Sequence, residues 1–202
     1  MPAFNTLHHE LRLRVPNKPY EFYDDAVRWA IAHICRKTSL WGVTTAIVTE
    51  PGKDVYDLDL PSDSVTHSNL YIIQKGSTDR VISRPVNGFK VSNNTSSDYT
   101  KSYRSVYKNK IQIVPIPKDG GITLEIRTAV KPTTAATSSD NNKFFEDYKD
   151  TVIYGALFRC LEDSDLKTAL YNEKKFKNGV SSIHIDVLKE NANTPMKISA
   201  GW

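Results

Sequence analysis

Hydrophobic residues near the beginning of the chain recur at the spacing of a helix. Ala26, Trp29 and Ala30 fall on one face of such a helix, and further apolar residues widen that face. Pro19 suits a first helical turn, and the segment has acidic residues near its start and basic residues near its end, as the helix dipole favours. The pattern predicts an amphipathic helix over residues 20–38.

A shorter helix is predicted immediately before it. Leu7, Leu11 and Val15 follow one another at intervals of four residues, which places them on one helical face. Pro16 cannot continue a helix, so the predicted segment ends there. We therefore expect a helix over residues 5–15.

From residue 43 to residue 132 the spacing changes to the alternation of apolar and polar residues that is typical of strands. β-branched and aromatic residues stand in short runs between turn residues, and Gly52-Lys53 indicates a hairpin turn between the first two runs. The runs cover residues 44–51, 55–61, 69–76, 79–85, 105–117 and 120–130. About six strands are enough for a small sandwich or barrel.

Helical spacing returns in the last third of the chain. Residues 143–162 carry two adjacent apolar faces, and a second helix is predicted from Asp165 to Gly179, because glycine is common just after helix ends. Residues 180–202 begin with a strand-like alternation and hold apolar residues, but too few for a core of their own. We expect this segment to dock on another surface; the alternative is that it has no fixed structure.

The order of helix, β block and helices places the chain in the α+β class. The first and last helices are expected to pair as a helical bundle body. An antiparallel β sandwich or barrel-like region is inserted between them, and an extended C-terminal arm follows. The predicted divisions are N-terminal helices 1–42, inserted β region 43–132, linker 133–142, C-terminal helices 143–179 and arm 180–202.

The composition allows a packed core, because 39% of the residues are hydrophobic and 25% are charged. The chain has no apolar run of the roughly 20 residues that a membrane helix needs, and its first residues lack the apolar segment of a signal peptide. Cys35 and Cys160 have no metal-ligand spacing, which indicates free buried thiols in a reducing compartment. We expect a protein that is neither exported nor held in a membrane.

Positive charge is concentrated in one stretch of the β region. The whole chain has a net charge of +4, whereas residues 71–110 hold eight basic and two acidic residues, a net charge of +6. The basic residues are Lys75, Arg80, Arg84, Lys90, Lys101, Arg104, Lys108 and Lys110. Both a solvated sheet face and a surface that meets a polyanion such as nucleic acid explain the stretch.

The sequence lacks the motifs of common catalytic sites, including G-x-S-x-G, H-E-x-x-H and the phosphate-binding glycine loops. His33 lies on the apolar helix, where a histidine is usually a core or interface residue, and His8 and His9 point to different faces. Asp57 and Asp59 share a strand face, as a two-carboxylate glycosidase needs, but they suit the exposed face of an amphipathic strand equally well. We expect no catalysis, metal or cofactor.

The order of short motifs along the chain resembles that of the head-to-tail adaptor, or head-completion, proteins of tailed bacteriophages. The motifs are a helix ending in a Trp-containing turn at Cys35–Trp41, Y-x-L-x-L-P-x-D at Tyr56–Asp63, I-x-I-x-P-x-P with a glycine turn at Ile111–Gly121, LEIRTAVKP at Leu124–Pro132, and a final helix motif at Asp165–Phe176. Each motif is short, so their serial order over residues 20–179 carries the resemblance.

The resemblance implies a non-enzymatic structural protein of the virion, made in the host cytoplasm and placed at the head–tail junction. It implies a ring, expected to be a dodecamer, that binds the portal on one side and tail or nozzle proteins on the other, with double-stranded DNA in its lumen. For portal docking we expect Met196, Ile198 and Trp202. For basic residues that face DNA or the tail we expect Arg80, Arg84, Lys90, Lys101 and Arg104.

Two other functions fit the same residues. Residues 43–132 are consistent with a module that binds nucleic acid or carbohydrate, which would fold and bind without the helices. A phage peptidoglycan hydrolase at the tail junction would have to use Asp57 and Asp59. The adaptor interpretation differs from both because it requires the helices for ring formation.

Overall fold

Helices form the beginning of the chain. The computed structural model describes residues 3–76, 79–82, 102–106, 109–139 and 141–193. A 3-10 helix at Phe4–Leu7 leads into α1 at His8–Arg14, and α2 occupies Tyr20–Thr38. Both predicted N-terminal helices are therefore confirmed, and Pro16 lies in the loop between them, as its missing N–H requires.

The loop between α1 and α2 is held by the side chain of Tyr23. Its hydroxyl donates a hydrogen bond to the carbonyl of Val15 (2.6 Å) and accepts one from the N–H of Lys18 (3.4 Å). The Tyr23 side chain itself is fully buried. One aromatic residue thus fills the core and satisfies backbone groups that the end of α1 leaves unpaired.

Seven strands make two sheets in the described residues. They are β1 at Gly42–Val48, β2 at Val55–Asp57, β3 at Ser64–Gln74, β4 at Arg80–Ile82, β5 at Ser102–Val106, β6 at Lys110–Val114 and β7 at Thr123–Pro132. One sheet has the order β1-β7-β3-β4 and the other has the order β2-β6-β5. The pairs β1–β7, β3–β4, β2–β6 and β5–β6 are antiparallel. The α+β class is confirmed.

Side chains of both sheets share one hydrophobic core. Its buried members are Tyr56, Leu58, Ile72, Ile82, Tyr103, Ile111, Ile113, Leu124 and Ile126. The inner faces of the two sheets therefore cover each other, as in a sandwich. The strands that the structure describes do not close into a barrel.

The predicted hairpin at Gly52-Lys53 is wrong. Gly52 does make a turn, with φ of 75°, but β1 pairs with β7 and β2 pairs with β6, so the strands on either side of the turn belong to different sheets. The Tyr56 hydroxyl holds this crossing: it accepts from the N–H of Glu50 and donates to the carbonyl of Lys53, both at 2.9 Å. Elsewhere, strands that follow one another along the chain do pair, since β3 pairs with β4 and β5 pairs with β6.

The C-terminal helices differ from the prediction in their limits. A 3-10 helix at Asn142–Phe144 precedes α3 at Lys149–Leu161, and α4 occupies Leu166–Asn193. The side chain of Asn141 accepts a hydrogen bond from the N–H of Lys143 (3.1 Å) and caps the 3-10 helix. The prediction that one helix begins at residue 143 is therefore wrong.

The prediction that the last helix ends at Gly179 is also wrong, because α4 continues to Asn193. A Cβ at Gly179 would lie 2.3 Å from Oγ1 of Thr151, so this glycine allows α3 to approach α4. Ile183 and Val187 are buried, and their spacing of four residues is that of a helix face rather than a strand. Residues 180–193 thus belong to a helix, and the rest of the predicted arm lies outside the described residues.

The chain divides into two compact units. The helical unit contains, of the described residues, 3–41, 61–65, 130–139 and 141–193; the β unit contains 42–60, 66–76, 79–82, 102–106 and 109–129. In the helical unit the ring of Trp29 in α2 lies 5.7 Å from that of Phe158 in α3 and 5.8 Å from that of Phe176 in α4. The predicted pairing of the first and last helices is confirmed.

The substitution Gly179→Ala tests the close contact of α3 with α4. Alanine favours a helix over glycine by about 1 kcal/mol, but its methyl group would overlap Thr151. Overpacking costs about 1–3 kcal/mol, so we expect the free energy of unfolding in urea to fall. The double variant Gly179→Ala/Thr151→Ala should recover part of that loss, and an increase in stability for Gly179→Ala alone would contradict the packing role.

Candidate interaction surfaces

The predicted basic surface lies partly within the described residues. Arg80 begins β4 in the four-stranded sheet, Arg104 lies in β5 of the three-stranded sheet, and both side chains are exposed. Arg84, Lys90 and Lys101 lie outside the described residues. Each of the two sheets in the β unit therefore carries one of these exposed arginines.

Two lysines of the basic stretch, Lys75 and Lys110, are paired with carboxylates. Nζ of Lys75 lies 2.9 Å from Oδ2 of Asp79 and 3.3 Å from Oε2 of Glu125, and hydrogen bonds to these two groups raise the pKa of Lys75. Nζ of Lys110 lies 2.9 Å from Oδ1 of Asp57. Glu125 and Asp57 come from outside the basic stretch of the sequence, so a count along the chain overstates the positive charge of this surface.

Arg104 is held in place across the three-stranded sheet. Its Nε donates to Oε1 of Gln112 on β6, and Nε2 of Gln112 donates in turn to Oδ2 of Asp54. Gln112 lies opposite both Arg104 and Val55 in the strand register. The guanidinium group is thus oriented by the sheet while it stays exposed to solvent.

The carboxylates Asp57 and Asp59 are arranged as on an amphipathic strand. Both are exposed, and they alternate with the buried side chains of Tyr56 and Leu58. Asp57 is engaged with Lys110. The pair therefore occupies an open, solvent-exposed face of the β unit.

His8 makes a buried polar contact that the sequence pattern did not reveal. Its Nε2 lies 2.9 Å from Oδ1 of Asp24, and its ring stacks on Tyr20 at 5.4 Å and lies 5.5 Å from Tyr23. His9, one residue later, is exposed, as its predicted position on another face requires. The contact joins α1 to α2, so residue spacing within one helix gives no signal of it.

Groups of three or more His, Cys, Asp or Glu side chains that could hold a metal are absent from the described residues.

His33 packs among aromatic rings of the helical unit. Its ring lies 5.3 Å from that of Trp29 and 5.2 Å from that of Phe176. Burial lowers the pKa of His33 below the ordinary value, and the positive charges of Lys37, Arg36 and Lys177 lower it further. The expectation of a histidine in a core or interface position agrees with this environment.

Both cysteines are free and buried, as predicted. Burial raises the pKa of the Cys35 thiol, and it raises the pKa of Cys160 to about 12. Each thiol is therefore protonated at neutral pH and is a poor nucleophile. Cys35 lies in α2, and Cys160 lies near the end of α3.

An open cleft of about 220 Å³ lies between the beginning of α2 and the corner that joins α3 to α4. No sequence pattern indicates this cleft, because its walls come from distant parts of the chain. Its apolar lining is Phe22, Ala26 and Cys160. Its polar lining is Lys18, Asp25, Arg159, Glu162, Asp163 and Ser164. We call this feature the corner cleft.

Helix α4 exposes large apolar side chains along its length. They are Leu166, Leu170, Tyr171, Ile185 and Leu188, each more than half exposed. Scattered single apolar residues are normal on a protein surface, but a set along one helix is typical of an interface. None of the helices in the described part of the chain is long and apolar enough to cross a membrane.

The residues predicted to dock on the portal, Met196, Ile198 and Trp202, lie outside the described residues.

A protein-family model described as SU10 adaptor protein matches residues 5–198. None of the curated proteins compared with the chain matches it. The family match includes all helices and strands described above except the first residue of the 3-10 helix at Phe4–Leu7.

The lowered pKa of His33 predicts a specific pH dependence of stability. As the pH falls below about 6.5, the unfolded chain binds a proton at this histidine before the folded chain does, so the free energy of unfolding decreases. The variant His33→Gln should therefore lose less stability than the wild type between about pH 7 and the folded pKa. Urea unfolding at several pH values measures the difference. His184→Gln, which removes an exposed histidine of α4, is the control; equal pH slopes for His33→Gln and wild type would contradict the assignment.

Proposed function

The chain belongs to the SU10 adaptor protein family, and we propose from this membership that it is a structural subunit of a tailed-phage virion that joins the portal to the tail. In this proposal copies of the chain form a dodecameric ring beneath the portal, and double-stranded DNA passes through its lumen. The observation that carries the proposal is the family match over residues 5–198, which covers the helical unit and the β unit together.

A ring subunit acts by burying surface against its neighbours rather than by chemistry. The contacts of the candidate catalytic side chains support such a role. Asp57 pairs with Lys110, His8 contacts Asp24, and His33 packs against aromatic rings. Each of these groups contributes to the folded structure, which favours a protein that binds without catalysing a reaction.

We assign different tasks to the parts of the chain. The helical unit forms the body of the ring, the β unit faces the tail or nozzle proteins, and the segment after α4 reaches the portal. The apolar side chains exposed on α4 support the first assignment. The exposed Arg80 and Arg104 on the two sheets support a β unit that meets acidic protein or DNA.

Removal of residues 194–202 tests portal docking. This deletion leaves α4 intact, whereas a deletion from Asn191 would remove helical residues. We expect the shortened chain to fold and to stop co-sedimenting with portal-bearing capsids of the parent phage, because aromatic and aliphatic anchors dominate such contacts.

The variant Met196→Ala/Ile198→Ala/Trp202→Ala is the matched control for chain length. It should lose binding as the deletion does, while circular dichroism shows an unchanged fold. Full co-sedimentation of the triple variant would refute docking by these three side chains, and full co-sedimentation of the shortened chain would refute docking by the segment.

The basic residues of the β unit make a second prediction. If Arg80 and Arg104 contact phosphates, replacing both by Gln should lower DNA affinity and reduce the slope of log K against log salt by about 2, because each phosphate contact contributes about 0.9. Binding measured at several salt concentrations gives the slope. Lys53→Gln/Lys118→Gln removes the same charge from other exposed positions of the β unit; an equal effect of that control would contradict a specific contact.

A further inference from the structure

Three exposed residues form a small surface near the end of α4. Ile185, Leu188 and Lys189 are spaced i, i+3 and i+4, so their side chains are neighbours on the helix. Ile185 is 52% exposed and Leu188 is 54% exposed. Lys189 is exposed and makes no ion pair with any residue that the structure describes. We call these residues the α4 triplet.

The other side of the same helix is already occupied. Ile183 and Val187 are buried in the helical unit, and Glu190 forms an ion pair with Lys143 at 2.7 Å. These contacts fix the rotation of the C-terminal half of α4. The α4 triplet is therefore presented outward by a helix that cannot turn to bury it.

The corner cleft has the shape and charge to receive such a group. A cavity of about 150 Å³ holds one benzene molecule, so the cleft, at about 220 Å³, holds one leucine side chain. Phe22, Ala26 and Cys160 supply an apolar lining for it. Nearby, Asp163 is exposed and, among the described residues, has no ion-pair partner.

The other charges of the corner cleft have partners. Arg159 pairs with Glu162, and Asp25 pairs with Arg28 outside the cleft. The Lys18 ammonium lies 5.2 Å from the centre of the Phe22 ring. Asp163 is therefore the group that a cation from outside would meet, and Lys189 beside Leu188 is a cation of this kind.

The cleft and the triplet lie at opposite ends of α4. The distance along the helix from Leu166 to Leu188 is roughly 33 Å at 1.5 Å per residue, so one copy cannot place its own triplet in its own cleft. Two complementary surfaces at different places on a chain make a heterologous contact, which repeats from copy to copy and closes into a ring when the rotation allows. This geometry is the one that the proposed function requires.

We propose that neighbouring copies of this chain bind each other by inserting Leu188 of one copy into the corner cleft of the next, with Lys189 paired to Asp163. The proposal rests on the ring of the proposed function and names its subunit contact. Ile185 covers the rim of the cleft and excludes water from the ion pair, which strengthens the attraction between the two charges.

Charge reversal tests the pairing. We expect Lys189→Asp and Asp163→Lys each to raise the concentration at which oligomers form by about tenfold or more, since a like-charge contact replaces an ion pair. The double variant Lys189→Asp/Asp163→Lys should return that concentration toward the wild-type value. Mass photometry and sedimentation over a concentration series measure it. Lys174→Asp reverses another exposed charge on α4 and should leave assembly unchanged.

Cysteine cross-linking tests the geometry. The variant Leu188→Cys/Asp163→Cys, once oxidised, should give a ladder of covalent species in steps of one 22.8 kDa chain on a non-reducing gel. All of these variants also carry Cys160→Ala, because Cys160 lines the corner cleft that receives residue 188. In that background each single variant can give a dimer at most, since Cys35 is fully buried. Val48→Cys/Asp163→Cys introduces a cysteine at an apolar residue of similar exposure, 56%, and should give no ladder.

The outcomes separate this contact from the proposed function. A wild type that oligomerises while the double-cysteine variant gives no ladder, or while the charge reversals have no effect, overturns the contact and leaves the adaptor ring in place. A chain that stays monomeric at every concentration and on portal-bearing capsids overturns the ring, and the contact with it.

Discussion

Helix α3 packs against both of its neighbours at positions that have no side chain. A Cβ at Gly155 would lie 2.7 Å from the Phe176 ring and 2.8 Å from Cβ of Ala30, and Gly179 meets Thr151 in the same way. Because no side chain separates them there, α2, α3 and α4 approach closely enough to exclude water from the core between them. The surfaces that α2 and α4 expose, including the corner cleft, keep their geometry because of these contacts.

Elements whose pattern is local were predictable from the sequence. The apolar face and terminal charges of α2 are complete within one segment, and the β3–β4 and β5–β6 hairpins join strands through short loops. The pairing of β1 with β7 could not be predicted in this way, because β7 lies far from β1 along the chain. The turn at Gly52 instead suggested a hairpin between β1 and β2. Gly179 was misleading for the same reason. Glycine is typical of helix ends, but here it lies within a helix, where Thr151 of α3 leaves no room for a Cβ.

The candidate surfaces also divide into those with a local sequence signal and those that only folding creates. Counting charges along the chain finds the basic stretch. It does not reveal that Lys75 and Lys110 are paired with carboxylates, because Glu125 and Asp57 come from other strands. The corner cleft was invisible in the sequence, since Phe22 and Asp163 meet through folding. The exposed positions of Ile185 and Leu188 on α4 were hidden because the predicted helix ended at Gly179, which assigned both residues to an arm. The family, by contrast, was recognisable because the order of motifs survives in the sequence without any knowledge of contacts.

The length of α4 changes how portal docking and ring formation relate to each other. If the helix ended at Gly179, a long arm would separate the docking residues from the helical unit. Instead the helix continues to Asn193, and residues 194–202 can span at most roughly 30 Å at 3.3–3.6 Å per residue. The proposed portal anchors are therefore tethered within that distance of the end of α4. The contacts of Ile183 and Val187 already fix the orientation of this helix. In the proposed ring, a copy that docks on the portal is held beside its neighbours, so portal docking raises the effective concentration for the ring contact.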